Sequence, residues 1–314
     1  RLLDAQDEFR LCMQAKDRSG FSLLQPCLER LAERIKLPKD TLAQERFVDG
    51  FAAMAPIASY LHPGDLIVLA ARPAMGKKTF ALQAAAHMAV DRELPVGIIS
   101  MASTADRVVS RLLAIHAQVS IKRLTRGELD QDEWLRLNTA FSAQQMAPLF
   151  IDDRTGQTLA QIKSSARKLF ESCNQRLSLL VIDELKLLLP GSRSHPQRMF
   201  KTLRTLKRLA IDLGVPILVI TGVSRRVENR RHHGPTLADL DDRGAIERCA
   251  DTVLAIWREG YYEPESRNRD LAAISILKNR RGPDGGFYMR LITEPVFAFA
   301  EDQLPIRPQQ EQAS

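Results

Sequence analysis

The chain has 314 residues, of which 45% are apolar and 26% charged, as in an ordinary globular protein. It contains no apolar run near the roughly 20 residues that a membrane-spanning helix needs, and it opens with no signal-peptide pattern. We therefore expect a cytoplasmic protein with no membrane partner. Four widely spaced cysteines without a metal-ligand pattern favour free thiols, and the net charge of +7 suits a polyanionic partner.

Residues 1–45 are predicted to form an N-terminal segment that contains one amphipathic helix. Leu24, Leu28, Leu31 and Ile35 recur at helical spacing within residues 22–36. An apolar stripe of this kind has to be buried against something. The two alternatives are the helix's own domain and a neighbouring subunit.

Residues 46–302 alternate between strand and helix patterns, and residues 303–314 form a polar tail. The predicted strands are 66–71, 96–101, 148–152, 177–183 and 216–221. The predicted helices are 77–90, 104–119, 132–145 (capped by Asp130), 158–173 and 197–213. Apolar runs follow at 252–257 and 272–278, and then a hairpin through Gly285 and Gly286 into residues 288–292. This order predicts an α/β fold whose mainly parallel sheet has helices on both faces.

The loop after the first of these strands is typical of a phosphate-binding loop. It runs through Arg72 and Pro73 to Gly76, and Lys77 opens the alanine-rich helix. Backbone N–H groups at such a turn, the helix dipole and the lysine charge all favour an anion there. Lys78 stands where the Mg²⁺-binding hydroxyl belongs, and Thr79 lies about 100° further round the helix.

A second apolar strand supplies the carboxylate that such a site needs. Leu179-Leu-Val-Ile-Asp183 is a buried-strand pattern that ends in Asp183 about a hundred residues after the loop. In phosphate-loop proteins a carboxylate at this place holds Mg²⁺, usually through water. Asp183 is therefore the candidate metal ligand.

Taken together, these landmarks resemble the motor domain of DnaB-type replicative helicases, which are RecA-like P-loop ATPases. The resemblance covers about residues 20–300. The motifs that carry it are Pro63-Gly-Asp-Leu-Ile-Val-Leu-Ala-Ala-Arg-Pro-Ala-Met-Gly-Lys, Arg111-Leu-Leu-Ala, Leu124-Thr-Arg-Gly-Glu-Leu, Val181-Ile-Asp, Gly244-Ala-Ile-Glu-Arg-Cys-Ala-Asp and Lys278-Asn-Arg-Arg-Gly-Pro.

The resemblance implies a RecA-like core preceded by a linker helix, ATP and Mg²⁺ as cofactors, and a homo-hexameric ring that translocates on single-stranded DNA beside other replisome proteins. It implies that Lys77 contacts the β- and γ-phosphates. It also implies that Lys278 and Arg280 reach the γ-phosphate bound by a neighbouring subunit.

Four of the positions that depart from the family pattern belong to the chemistry. Lys78 replaces the Mg²⁺-binding hydroxyl, Ala102 replaces the glutamate that polarises water, Gly222 replaces the glutamine of a γ-phosphate sensor, and Asp241 replaces an arginine. Losing a positioned general base costs about 10²–10⁴ in rate. We therefore expect a preserved fold with weak or absent ATP hydrolysis.

The residues near Asp183 suggest two further arrangements: one would restore a catalytic base, and the other would replace the metal ion by an ion pair. Glu184 could act as the catalytic base, provided that the strand ends at Asp183. Lys78 could instead pair with Asp183 or Glu184 and occupy the place of the metal. The alternatives to an impaired motor are thus a non-catalytic ring or loader subunit and an active ATPase that uses Glu184.

Basic residues gather after two strands at the edge where the phosphate loop lies. The candidate DNA contacts are Arg193, Arg198, Lys201 and Arg204 in one group and Arg225 and Arg226 in the other. A solvated basic face is the alternative. Because aromatic residues are scarce there, we expect salt-dependent contacts with phosphates and no base stacking.

Overall fold

The computed structural model describes residues 22–35, 51–189, 196–230, 233–240 and 244–305. The strands are β1 (Ser22–Leu23), β2 (Leu66–Ala71), β3 (Val96–Ser100), β4 (Leu149–Asp152), β5 (Leu179–Asp183), β6 (Ile217–Gly222), β7 (Thr252–Trp257), β8 (Leu271–Asn279), β9 (Gly285–Ile292) and β10 (Ala298–Pro305). The helices are α1 (Leu24–Ile35), α2 (Lys77–Ala86), α3 (Ala105–Ala117), α4 (Ile121–Arg126), α5 (Gln131–Gln145), α6 (Leu159–Ser172), α7 (Pro196–Leu213), α8 (Ala245–Cys249) and α9 (Glu259–Tyr262).

All ten strands form one sheet in the order β1-β4-β3-β5-β6-β2-β7-β8-β9-β10. The six strands from β4 to β7 pair in parallel, and the strands at both ends pair antiparallel. The parallel strands are buried on both faces, which explains why they read as continuous apolar runs. The predicted mainly parallel α/β sheet with an antiparallel edge is confirmed.

Successive residues of β2 face two separate cores. Ile67 and Leu69 pack with helices α1 to α5 on one face, whereas Leu66 and Val68 pack with α6, α7 and α8 on the other. Strand side chains alternate in this way because their period is two. The carboxyl ends of the parallel strands are thus left clear for a ligand.

The apolar stripe of α1 lies on its own chain. Leu24, Cys27, Leu28 and Leu31 are buried, and they join the core that contains α3 and α5. Arg30 forms an ion pair with Asp106 of α3 at 3.3 Å. The helix begins at Leu24 and not at residue 22, since residues 22 and 23 form the edge strand β1, which pairs with β4.

Two boundaries at the C-terminal edge differ from the prediction. The hairpin joins β8 and β9, but its turn lies at residues 280–284, and Gly285 and Gly286 already pair with Ile276 and Ser275 within the sheet. The Asn279 side chain accepts a hydrogen bond from the Arg281 N–H and so supports the earlier turn. Strand β10 also extends through residues 303–305, which were predicted to belong to the tail.

The predicted cap at Asp130 is confirmed by a reciprocal pair of hydrogen bonds. The Glu133 N–H donates to the Asp130 carboxylate at 2.9 Å, and the Asp130 N–H donates to the Glu133 carboxylate at 3.0 Å. This capping box satisfies two of the donors that a helix start leaves open. Among the described helices, none is both long and apolar enough to cross a bilayer.

His116 makes the stability of the fold pH-dependent. Its ring is buried beside Phe51 and Gln144, and burial lowers its pKa from 6.5 to about 4. The unfolded chain therefore binds more protons between these values, so the stabilising contribution is full above pH 6.5 and is lost as the pH falls towards 4.

We expect the free energy of unfolding to be about 2 kcal/mol lower at pH 5 than at pH 7.5 through this residue alone. Urea titrations of the parent and of His116→Gln at both pH values measure the difference. His62→Gln, at a partly exposed histidine, is the control. An unchanged pH dependence in His116→Gln would contradict the assignment.

Candidate nucleotide site

The phosphate loop is held by packing as well as by its turn. Strand β2 ends at Ala71, and Gly76 adopts φ +93° immediately before α2 begins at Lys77. A Cβ on Gly76 would stand 2.6 Å from the Phe297 ring and 2.9 Å from the Phe299 ring. Glycine is therefore required there both for its backbone conformation and for the space under the aromatic pair.

The predicted loop residues lie at this site with different surroundings. Arg72 donates to the Glu228 carboxylate at 2.7 and 2.9 Å, and Pro73 is exposed at the tip of the loop. Burial lowers the pKa of Lys77, and the charge of Glu184 opposes this shift. Thr79 is buried in the first turn of α2, at only 6% exposure. The free N–H groups of this turn and Lys77 form a cradle that fits a phosphate.

An ammonium group occupies the surroundings in which a phosphate-loop protein holds Mg²⁺. Lys78 Nζ lies 3.1 Å from Asp183 Oδ2 at the end of β5. Asp183 Oδ1 is buried without a hydrogen-bond partner among the described residues, and burial raises the pKa of this carboxyl group against the effect of Lys78. An ammonium only donates and repels a cation, so the residues present do not fit Mg²⁺.

No cluster elsewhere in the described part of the chain compensates for this, since it contains no group of three His, Cys, Asp or Glu side chains able to hold a metal. A cleft of about 640 Å³ opens beside the ion pair, and Arg107 and Arg111 of α3 help to line it. This cleft reaches the ion pair, but the loop residues 72–77 are not among those that line it.

The positions predicted to take part in catalysis lie close to Asp183. The Met101 N–H donates to the Asp183 carbonyl at 2.9 Å, which brings the exposed Ala102 next to the end of β5. Strand β5 ends at Asp183, and Glu184 is half-buried in extended conformation with its charge acting on Lys77. The condition that Glu184 needs in order to face the site is thus met.

The sheet also brings Gly222 beside the phosphate loop, because Gly222 at the end of β6 pairs with Ala71 at the end of β2. The Lys186 side chain lies beside Gly222, with Nζ 3.4 Å from the position that a Cβ on Gly222 would take. Sequence reasoning missed Lys186 as a site residue, although a cation three residues after Asp183 was a usable signal.

Arg258 was missed as well. It follows β7 directly, donates to the Ala74 carbonyl at 3.3 Å, and lies over the Phe297 ring at 4.9 Å. The signal was its place at the carboxyl end of a predicted strand, at the edge where the loop lies. Arg258 thus braces the phosphate loop.

Comparisons with known proteins agree with this geometry. The sequence profile of the DnaB-like helicase C-terminal domain matches residues 48–298. The chain belongs to this family. Its sheet and helices are those of the RecA-like ATPase domains of DnaB-type helicases.

Among curated relatives, the replicative DNA helicase DnaB of Geobacillus stearothermophilus is 33% identical over 248 residues, which cover 78% of this chain and 54% of that protein. Its counterpart from Pasteurella multocida is 34% identical over 82% of this chain and 56% of that protein. The replicative DNA helicase DnaC of Bacillus subtilis is 29% identical over 93% of this chain and 65% of that protein. The chain thus spans about half to two thirds of the length of these relatives.

Two solved structures share the fold at a TM-score of 0.72. One of them, described as an ATPase domain, is 26% identical and covers 88% of this chain and 98% of its own. The other, a DnaB-like replicative helicase described with its interactions with primase, is 25% identical and covers 87% of this chain and 66% of its own.

The basic pair expected from the DnaB family lies far from the chain's own phosphate loop. Lys278 and Arg280 flank Asn279, which pairs with Thr252 at the start of β7. Strands β7 and β2 are parallel, and the phosphate loop follows the opposite, carboxyl end of β2. Lys278 donates to the carbonyls of Glu247 and Ala250, and Arg280 pairs with Asp251 at 3.2 Å. Within one chain the pair therefore serves the end of α8 and cannot reach the loop.

The candidate DNA contacts are only partly described. Arg193 lies outside the described residues, and so does Asp241, which was predicted as a replaced family position and not as a DNA contact. Arg198, Lys201 and Arg204 are exposed on α7. Arg225 and Arg226 are exposed in the 3₁₀ helix Arg225–Asn229 after β6. Phe200, the aromatic residue nearest to them in sequence, lies under the Arg248 guanidinium at 5.2 Å.

Proposed function

We propose that this chain is a DnaB-type motor domain that binds ATP and single-stranded DNA but hydrolyses ATP weakly or not at all. The observation that carries the proposal is the ion pair of Lys78 with Asp183 at 3.1 Å. In this arrangement the carboxylate that should hold the metal is neutralised by the chain itself. The phosphate cradle around Lys77 remains, so the chain can bind ATP without hydrolysing it.

The second support is the methyl group at position 102. By resemblance, Ala102 stands where the family has its general base, and loss of such a base costs about 10²–10⁴ in rate. The impaired metal position adds to this loss. The strands, the helix caps and the turn glycine that build the fold are all present. The replacements are therefore expected to impair catalysis without disrupting the structure.

Ring assembly is the third part of the proposal. Lys278 and Arg280 lie at the amino-terminal end of the parallel strands, and the phosphate loop lies at their carboxyl end. They can therefore act only on a nucleotide held by another subunit. Cations inserted in this way stabilise the charge that develops in phosphoryl transfer. By analogy with the family, we propose a homo-hexamer with other replisome proteins as partners.

A second candidate is an active ATPase that uses Glu184, and one observation favours it. The end of β5 at Asp183 leaves Glu184 beside Lys77, where a base could act. Steady-state phosphate release with Mg²⁺ and single-stranded DNA separates the two. We expect a parent rate at background that Glu184→Gln does not change. A measurable rate that Glu184→Gln abolishes would replace the first proposal by the second.

A further inference from the structure

Lys186 lies beside Gly222, at the end of β6. It belongs to the 3₁₀ helix Leu185–Leu188, which follows the metal-site strand β5. Its Nζ lies 3.4 Å and its Cε 3.8 Å from the position that a Cβ on Gly222 would occupy. No other atom of the described residues comes within 4 Å of that position apart from the neighbours of Gly222 in the chain. The ammonium group thus lies within contact distance of the point where a residue 222 side chain would begin.

The ammonium is also close to the phosphate cradle. Burial is the largest cause of the lowered pKa of Lys77, and the charges of Lys78 and Lys186 lower it further. Two carboxylates, Asp183 and Glu184, share this space with three lysines, and Asp183 is already paired with Lys78.

Within the described part of the chain, the Lys186 ammonium has no hydrogen-bond or ion-pair partner of its own. Ammonium groups gathered in this way repel one another unless an anion joins them. Lys186 is also exposed, so its charge is open to a negatively charged ligand from solution.

We propose that Lys186 binds the terminal phosphate of a nucleoside triphosphate and takes the place of the side chain that Gly222 lacks. This inference rests on the proposed nucleotide binding. The register places Gly222 beside Ala71, so a cation over Gly222 lies next to the phosphate loop. A third cation matters most for a ligand with a third phosphate, and therefore selects the triphosphate over the diphosphate. Together with Lys78, Lys186 also carries the charge of one Mg²⁺, so this selection does not need the metal.

The test measures binding of ATPγS and of ADP in EDTA by calorimetry, in the parent and in Lys186→Gln. Removing one charged hydrogen bond weakens ATPγS binding on the order of tenfold or more, whereas ADP binding changes less than about twofold. Lys163→Gln removes a lysine charge from α6 and leaves both affinities unchanged. Thermal unfolding of each variant confirms that it is folded.

A reciprocal variant sharpens the result. In Lys186→Ala/Gly222→Gln the new side chain enters the vacated space, and we expect it to regain part of the preference for ATPγS that Lys186→Ala loses. Equal losses for ATPγS and ADP, or none in Lys186→Gln while the parent binds both, overturn the role of Lys186 alone. A parent that binds neither nucleotide, in EDTA or with Mg²⁺, overturns the proposed function together with it.

Discussion

Restoring two side chains is expected to raise the Mg²⁺-dependent ATPase rate of this chain by about 10²-fold or more. The variant is Lys78→Thr/Ala102→Glu. Threonine at position 78 supplies the hydroxyl ligand and releases Asp183 from its ion pair at 3.1 Å. Glutamate at position 102 supplies a base beside the end of β5, because the neighbouring Met101 N–H donates a hydrogen bond to the Asp183 carbonyl there.

The two changes should act together and not separately. Lys78→Thr alone regains a metal without a base, and Ala102→Glu alone places a base beside a metal site that is still closed. Residues that act as a unit give strongly non-additive rates. Phosphate release is measured for the parent, both single variants and the double variant, with Lys77→Ala added to the double variant as the control that removes the phosphate contact.

A folded double variant that hydrolyses ATP no faster than the parent would contradict this explanation. The cause of weak hydrolysis would then lie elsewhere, in Asp241 or in ring assembly. A parent that already turns over quickly would contradict it as well, and would direct attention to Glu184.

Affinity for single-stranded DNA is expected to fall about 50-fold between 50 and 200 mM salt. The estimate assumes that four exposed cations each displace a counterion, which gives a log–log slope of about −3 for a single strand. Those four are Lys201, Arg204, Arg225 and Arg226. Since the nearby Phe200 ring is covered by Arg248, oligo-dT and oligo-dA should bind alike.

Fluorescence anisotropy over a salt series measures the slope, and Arg225→Ala/Arg226→Ala should make it shallower by about 1.4. The matched control is Lys122→Ala/Arg126→Ala on α4, which packs on the other face of the sheet from α7. Binding that is insensitive to salt, or a control as weak as the test variant, would assign the basic residues to a solvated face.

Much of this fold follows from local sequence patterns. Strands β2 and β5 are apolar on both faces and end in turn or charged residues, so their bounds were predicted to within two residues. Asp130 was predicted as a cap because its side chain accepts from the first turn of the helix that follows it. Such features depend on neighbours in the chain, and a sequence displays those directly.

The site was only partly predictable for the opposite reason. The alternative that Lys78 pairs with Asp183 came from charge alone, and the structure brings the two together. The relation of Lys186 to Gly222 depends on how the loop after β5 packs on the end of β6, which no local pattern shows. The turn after β8 was misplaced because two consecutive glycines are a stronger turn signal than Asn279, yet pairing within the sheet prevailed.

The most direct measurement is the calorimetric binding of ATP with and without Mg²⁺, on the parent and on Lys78→Thr. We predict that the parent binds ATP without gain from Mg²⁺, because its own ammonium already neutralises Asp183. Lys78→Thr should then become dependent on the metal. A parent that binds Mg²⁺–ATP much more tightly than ATP alone, with Lys78→Thr no different from it, would contradict the account.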